Sequence, residues 1–135
     1  MKLKVEYLYE DMKPLNRKHT YDAGADCHMP YDVIIKPGKN IIPLGFKLVI
    51  PPGFAGFLSL RSSWMGSGIV CNYVPFDTGF SGEWNLIVYN TTNEDIKINK
   101  NERICQLIIQ PIIDADFVDD LGLLRESNGV GSTGK

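Results

Sequence analysis

Cysteine, histidine and an excess charge of either sign are all scarce in this sequence, and each scarcity removes a class of function. The 135 residues include only 3 cysteines and 2 histidines. Cys27, Cys71 and Cys105 are odd in number, widely spaced and form no CxxC pair. That argues against a disulfide framework and favours a reducing compartment. His19 and His28 have no zinc-ligand spacing, which argues against a structural zinc site. The 14 basic and 16 acidic side chains leave a net charge of -2. A nucleic-acid interface wants a basic face, so no nucleic-acid partner is expected, although a local cluster suffices for one small polyanion. No apolar run approaches the roughly 20 residues of a membrane span. The opening MKLKVEYLYED alternates charged and apolar residues where a signal peptide has an unbroken apolar stretch. These features predict a cytoplasmic protein without membrane contact (host cytoplasm for a viral or phage chain).

A sustained apolar repeat near 3.6 residues is also missing, so helices are not expected beyond one short turn at Ser62 to Gly66. Short β-branched and alternating segments take their place. Lys2–Leu8, Val33–Ile35, Asn40–Leu44, Phe46–Ile50, Phe54–Leu60, Glu83–Tyr89, Ile96–Ile98 and Ile104–Ile113 read as strands, punctuated by Lys36-Pro37-Gly38 and Pro51-Pro52-Gly53. With 44% hydrophobic residues the chain can bury one ordinary core. Many short strands with frequent turns predict an all-β sandwich or barrel. Residues 1–118 form the expected β domain and 119–135 a C-terminal arm.

That arm carries the first chemical signal. Arg125 to Gly134 (RESNGVGSTG) has glycines at 129, 131 and 134 that let backbone approach an anion. Ser132 and Thr133 supply hydroxyl donors, and Arg125 a guanidinium fork. The composition suits an arm that orders over a nucleotide's phosphates. Upstream, Asp77 lies between apolar Phe76 and the turn glycines Gly79 and Gly82. A carboxylate on such a turn either polarises a water or accepts backbone hydrogen bonds. Arg61 and Ser62 stand where an apolar strand gives way to a helical turn, a place for phosphate or a simple cap. Gln106 sits within apolar Ile104, Leu107, Ile108 and Ile109, and a buried amide needs a partner. Asp26 follows Gly24 in what reads as a loop.

Five motifs in order resemble those of the homotrimeric dUTPase family. They are Ala23-Gly24-Ala25-Asp26, Arg61-Ser62-Ser63, the stretch from Phe76-Asp77 to Gly82-Glu83, Glu102-Arg103-Ile104-Cys105-Gln106-Leu107, and the terminal Gly131-Ser132-Thr133-Gly134. The resemblance covers nearly the whole chain. It implies a jelly-roll β fold, hydrolysis of dUTP to dUMP and pyrophosphate, Mg2+, and a homotrimer with sites shared between subunits. It implies that Asp77 activates the water attacking the α-phosphorus. Arg61, Ser62, Ser63, Gln106 and Arg125 hold the phosphates, together with Gly131, Ser132 and Thr133. Asn72 and Phe80 meet base and sugar, and Asp26 orders water around a magnesium held mainly by phosphates.

The chain departs from the family pattern at three places: twice in the arm, once in the base hairpin and once under the sugar. Val130 replaces the arm's base-stacking phenylalanine, so either the lid is weaker or Trp84, Tyr73 or Phe80 stacks instead. Arg125 is followed by Glu126 where the family has glycine. The stretch Ile69–Pro75 is shorter than the hairpin that reads uracil through its backbone, though Asn72 keeps the pocket asparagine. Phe80 replaces a tyrosine that packs under the deoxyribose, keeping the ring and losing the hydroxyl. Three alternatives remain. One is a dUTPase-like protein with altered base specificity. A dCTP deaminase shares the fold, yet Ile87 stands where that enzyme's catalytic glutamate belongs, and an isoleucine cannot move protons. A regulatory binding module with a dUTPase-like body is the third.

Overall fold

The computed structural model describes residues 1–119. Its elements in chain order are β1 (Val5–Tyr7), β2 (Ala25–His28), β3 (Val33–Ile35), β4 (Gly38–Leu48), β5 (Phe54–Leu60), α1 (Ser62–Gly66), β6 (Ile69–Cys71), β7 (Pro75–Phe76), β8 (Glu83–Asn90), β9 (Ile96–Ile98) and β10 (Arg103–Pro111). Two four-stranded sheets, ordered β1-β4-β8-β6 and β2-β10-β5-β7, face each other, and β3 and β9 form a small third sheet. All the strand pairs are antiparallel.

Strict alternation builds the core between the sheets. Along β8, Trp84, Leu86, Val88 and Asn90 are buried, while Ile87 and Tyr89 face out. Trp84 stacks on Phe76 at 3.8 Å and on Phe46 at 5.7 Å, and its indole N–H donates to the Leu48 carbonyl at 2.9 Å. A buried indole needs such a partner. Asn90 is buried because all its polar capacity is used. Its amide donates to the Ile35 and Glu94 carbonyls, and its oxygen accepts from the Thr92 amide and hydroxyl.

Several strands differ from expectation. The segments expected at Asn40–Leu44 and Phe46–Ile50 are one strand, β4, bent at Gly45. Gly45 has φ +83°, and an added Cβ would lie 2.9 Å from the Tyr9 ring and 3.0 Å from Pro30. The β4–β8 register shifts between Pro43 and Lys47, so a bulge turns the strand instead of ending it. Asp26, expected in a loop, lies in β2, where pairing with β10 recruits a segment too short and polar to announce itself. β6 and β7 were likewise absent from the pattern. They do not pair with each other as a hairpin: β6 joins β8 in one sheet and β7 joins β5 in the other. β1 shortens to Val5–Tyr7, and β10 ends at Pro111.

Candidate functional site

The expected phosphate-side residues gather at one end of the β2-β10-β5-β7 sheet. Gln106 is paired in register with Asp26 on one side and Ser59 on the other. Arg61 follows β5 directly, and its N–H donates to the Ile104 carbonyl at 3.0 Å. Ser62 and Ser63 then open α1. Arg61 makes no side-chain cap to this helix, and all three residues are exposed. Trp64, one residue on, pins the turn by donating its indole N–H to the Arg103 carbonyl at 2.9 Å. Arg103, which sequence reasoning passed over as a site residue, pairs with the Asp26 carboxylate at 3.6 Å. The signal was present in its motif, but only strand pairing sets it beside Asp26. His28 pairs with Arg103 across the strands. Burial, with Lys13 nearby, lowers the pKa of its imidazole, and among the described residues Nδ1 has no hydrogen-bond partner.

Gly24 explains the start of the first motif. A Cβ there would lie 2.7 Å from the Leu107 carbonyl oxygen, 2.9 Å from Ile108 and 3.0 Å from the Gln106 amide oxygen. The glycine lets β2 press onto β10 beneath the Gln106 side chain. Gly24→Ala is expected to destabilise the fold by roughly 1–3 kcal/mol through overpacking, seen as a lower urea midpoint. A midpoint unchanged from the parent would refute this account.

Asp77 lies elsewhere. It follows β7, whose Phe76 is paired with Gly56, so Asp77 stands beside Ala55 at the far end of β5. Ala55 and Ser62 are separated by seven positions, roughly 20 Å along a strand. Asp77 opens a turn closed by the Phe80 N–H donating to its carbonyl at 3.2 Å, with Gly79 at φ +95°. The Thr78 hydroxyl anchors this turn to the Pro51 carbonyl at 3.0 Å. The Asp77 side chain is exposed.

Beside it lies a cavity of about 70 Å³, lined by Leu58, Cys71, Asn72, Val74, Phe76, Asn85, Leu86 and Ile87. It exists because the chain leaves one sheet at Cys71 and enters the other at Pro75. Beyond Val88, which pairs with Cys71, β8 has no strand neighbour on that side among the described residues. Pro43 stands opposite Asn85 in the β4–β8 ladder. Proline has no N–H, and the Pro43 carbonyl accepts from the Tyr31 hydroxyl at 2.5 Å. The Tyr31 hydroxyl is a donor at neutral pH with or without the burial that pushes its pKa up to about 12. Pro43 therefore directs its backbone away from β8. In an antiparallel non-hydrogen-bonded pair both residues face outward. Asn85 thus turns its N–H and C=O toward the cavity.

The aromatics separate by burial. Trp84 is fully buried and cannot stack on a base. Tyr73 has one face against Phe57, at 4.4 Å and 3°. Phe80 is 38% exposed and is held edge-on by Phe76 and Trp84. Arg125, Val130, Gly131, Ser132 and Thr133 lie outside the described residues, as does all of the expected arm after Asp119.

These features define a jelly-roll β-sandwich with an anion-suited cluster at one end and a carboxylate beside a small cavity at the other. The dUTPase family model matches residues 10–134, and the chain belongs to that family. It is 32% identical to the deoxyuridine 5'-triphosphate nucleotidohydrolase of Clostridium tetani, over 98% of this chain and 97% of that protein. It is 34% identical to the enzyme of the same name from Nautilia profundicola, over the full length of both. A mutant of the Staphylococcus bacteriophage 80alpha dUTPase with dUpNHpp superposes with a TM-score of 0.81 at 26% identity, covering 99% of each chain. The dUTPase of phage phi11 of S. aureus, described with a structural Mg(II) ion, shares the fold with a TM-score of 0.79 at 22% identity.

Proposed function

We propose that this protein hydrolyses dUTP to dUMP and pyrophosphate at a site shared between copies of the chain. The observation that carries the reading is Asp77, one residue beyond a cavity wall that offers a backbone donor and acceptor from Asn85. Uracil presents an imide N–H flanked by carbonyl oxygens, which answers a C=O and an N–H. Cytosine offers a lone pair where uracil has that N–H and an amine where uracil has an oxygen. Asn72 lies in the same wall, and Ile87 does too. An isoleucine there leaves a deaminase without its proton carrier.

Asp77 accepts the proton of a water that attacks the α-phosphorus, and the bond from that phosphorus to the bridging oxygen breaks. Arg61, Ser62, Ser63 and Gln106 hold the leaving pyrophosphate by charge and hydrogen bonding. Arg125, Gly131, Ser132 and Thr133 complete that grip from the 119–135 arm, and Val130 adds apolar cover without a ring. The Phe80 ring packs against the deoxyribose and disfavours a ribose hydroxyl. Asp26, already paired with Arg103, suits a metal held through water better than one held directly. Bound Mg2+ supplies charge neutralisation on the triphosphate.

Distance supports a site shared between copies, and a homotrimer is the assembly that the family resemblance implies. A triphosphate cannot span the roughly 20 Å between Asp77 and Ser62 along one β5. Asp77 of one copy and the phosphate cluster of another must therefore meet. The segment after β10 supports such assembly. Ile113 and Phe117 are 90% and 98% exposed, and they alternate with Asp114 and Asp116. Next to β1 is a groove of about 600 Å³, where Leu3 and Val5 alternate with Lys2 and Lys4, with Lys47 beside them. The apolar, acidic segment after β10 of a second copy complements that largely apolar and basic groove, in which Glu6 is the one acidic side chain among the described residues.

Pyrophosphate release with Mg2+ is expected to be strongest for dUTP among dUTP, dCTP, dTTP and UTP. Comparable turnover of dTTP or UTP would defeat the specificity, and ammonia release from dCTP would defeat the reaction.

A further inference from the structure

We propose that the side chain of Asn85 is a specificity-determining group of the base cavity, hydrogen bonding the uracil 4-oxygen, which cytosine replaces with an amine, next to the backbone contact. The proposal rests on the dUTP reading above and adds a residue to it. Asn85 is half-buried on β8. It lines the cavity together with Asn72, and the rest of the wall is apolar apart from the Cys71 thiol. Among the described residues its carboxamide makes no hydrogen bond, in contrast to Asn90 on the same strand, whose amide is fully used. An uncommitted amide on an apolar wall is suited to a ligand's polar edge. Its backbone faces the same cavity because Pro43 withdraws from the ladder opposite it. Main chain and side chain of one residue thus converge on one ligand edge.

The chemistry separates two substitutions. Asn85→Ala removes the donor. Asn85→Asp keeps the volume but presents only acceptor oxygens, which repel a carbonyl oxygen. The site is partly exposed, so both variants should fold, as near-UV circular dichroism and the urea midpoint can verify. Titration with a non-hydrolysable dUTP analogue and Mg2+ is expected to show about tenfold weaker binding for Asn85→Ala. Asn85→Asp should bind it weaker still, by roughly a hundredfold, because a charged group faces an acceptor. In kinetics the loss should appear in KM for dUTP with kcat nearly kept. The dUTP-to-dCTP ratio of kcat/KM should fall. Unchanged analogue binding and an unchanged ratio in both variants would overturn the assignment. Analogue binding without any turnover by the parent chain would instead fault the hydrolysis reading, leaving the binding comparison to judge Asn85.

Discussion

Asp77→Asn is expected to lower kcat for dUTP by about 10³-fold while leaving binding of a non-hydrolysable analogue near the parent value. General-base removal typically costs roughly 10²–10⁴-fold, and the amide can still orient a water without accepting its proton. Asp77 is exposed and borders a turn held by Thr78 and by the Phe80–Asp77 backbone bond. The substitution therefore removes chemistry and not fold. Single-turnover measurements separate the two. A variant that binds the analogue as well as the parent and turns over at more than a tenth of its rate would show that another group activates the water.

If the site is shared between copies as proposed, mixed assemblies are expected to restore activity from two dead proteins. One carries Asp77→Asn, the other Ser62→Ala with Gln106→Ala. Each alone should be nearly inactive. Unfolded together at equal concentrations and refolded, they should recover about a quarter of parent activity. A working site needs an intact Asp77 from one copy and an intact phosphate cluster from a different copy, each drawn with even odds in a closed assembly. The effect is an increase from almost nothing, so it is hard to mistake for differences in protein quality. A site confined to one chain would recover none. The prediction rests on a register: Phe76 opposite Gly56 fixes Asp77 at one end of β5, and Gln106 opposite Ser59 fixes the proposed phosphate cluster toward the other.

Much of the fold was legible in the sequence where local physics was enough. Val33–Ile35, Phe54–Leu60 and Ile96–Ile98 lie between turn residues and carry their own β-branched or alternating pattern, and the structure matches them residue for residue. The helical turn at Ser62–Gly66 also falls where expected. The missed strands were those whose reason to form lies elsewhere. β2 is an edge strand of four residues that pairs with β10, and β7 is two residues leaning on β5. β4 was divided at Gly45, because a glycine in a bulge and a glycine in a turn look alike in sequence. Trp84 was offered as a ring for the base, and its place between Phe46 and Phe76 removes it.

The sequence by itself determined the family, the all-β class and the residue types available for chemistry, because motifs and side-chain period survive in a linear string. Only the tertiary structure decided how those residues divide. It set Asp26, Arg103 and Gln106 together across two strands and sent Asp77 to the opposite end of β5. It also made the cavity, by carrying the chain from one sheet to the other between Cys71 and Pro75 and turning Asn85 toward the gap. The reason is physical: strand register and sheet membership depend on partners far away in sequence, and they, more than the residues themselves, determine which groups can reach the same ligand.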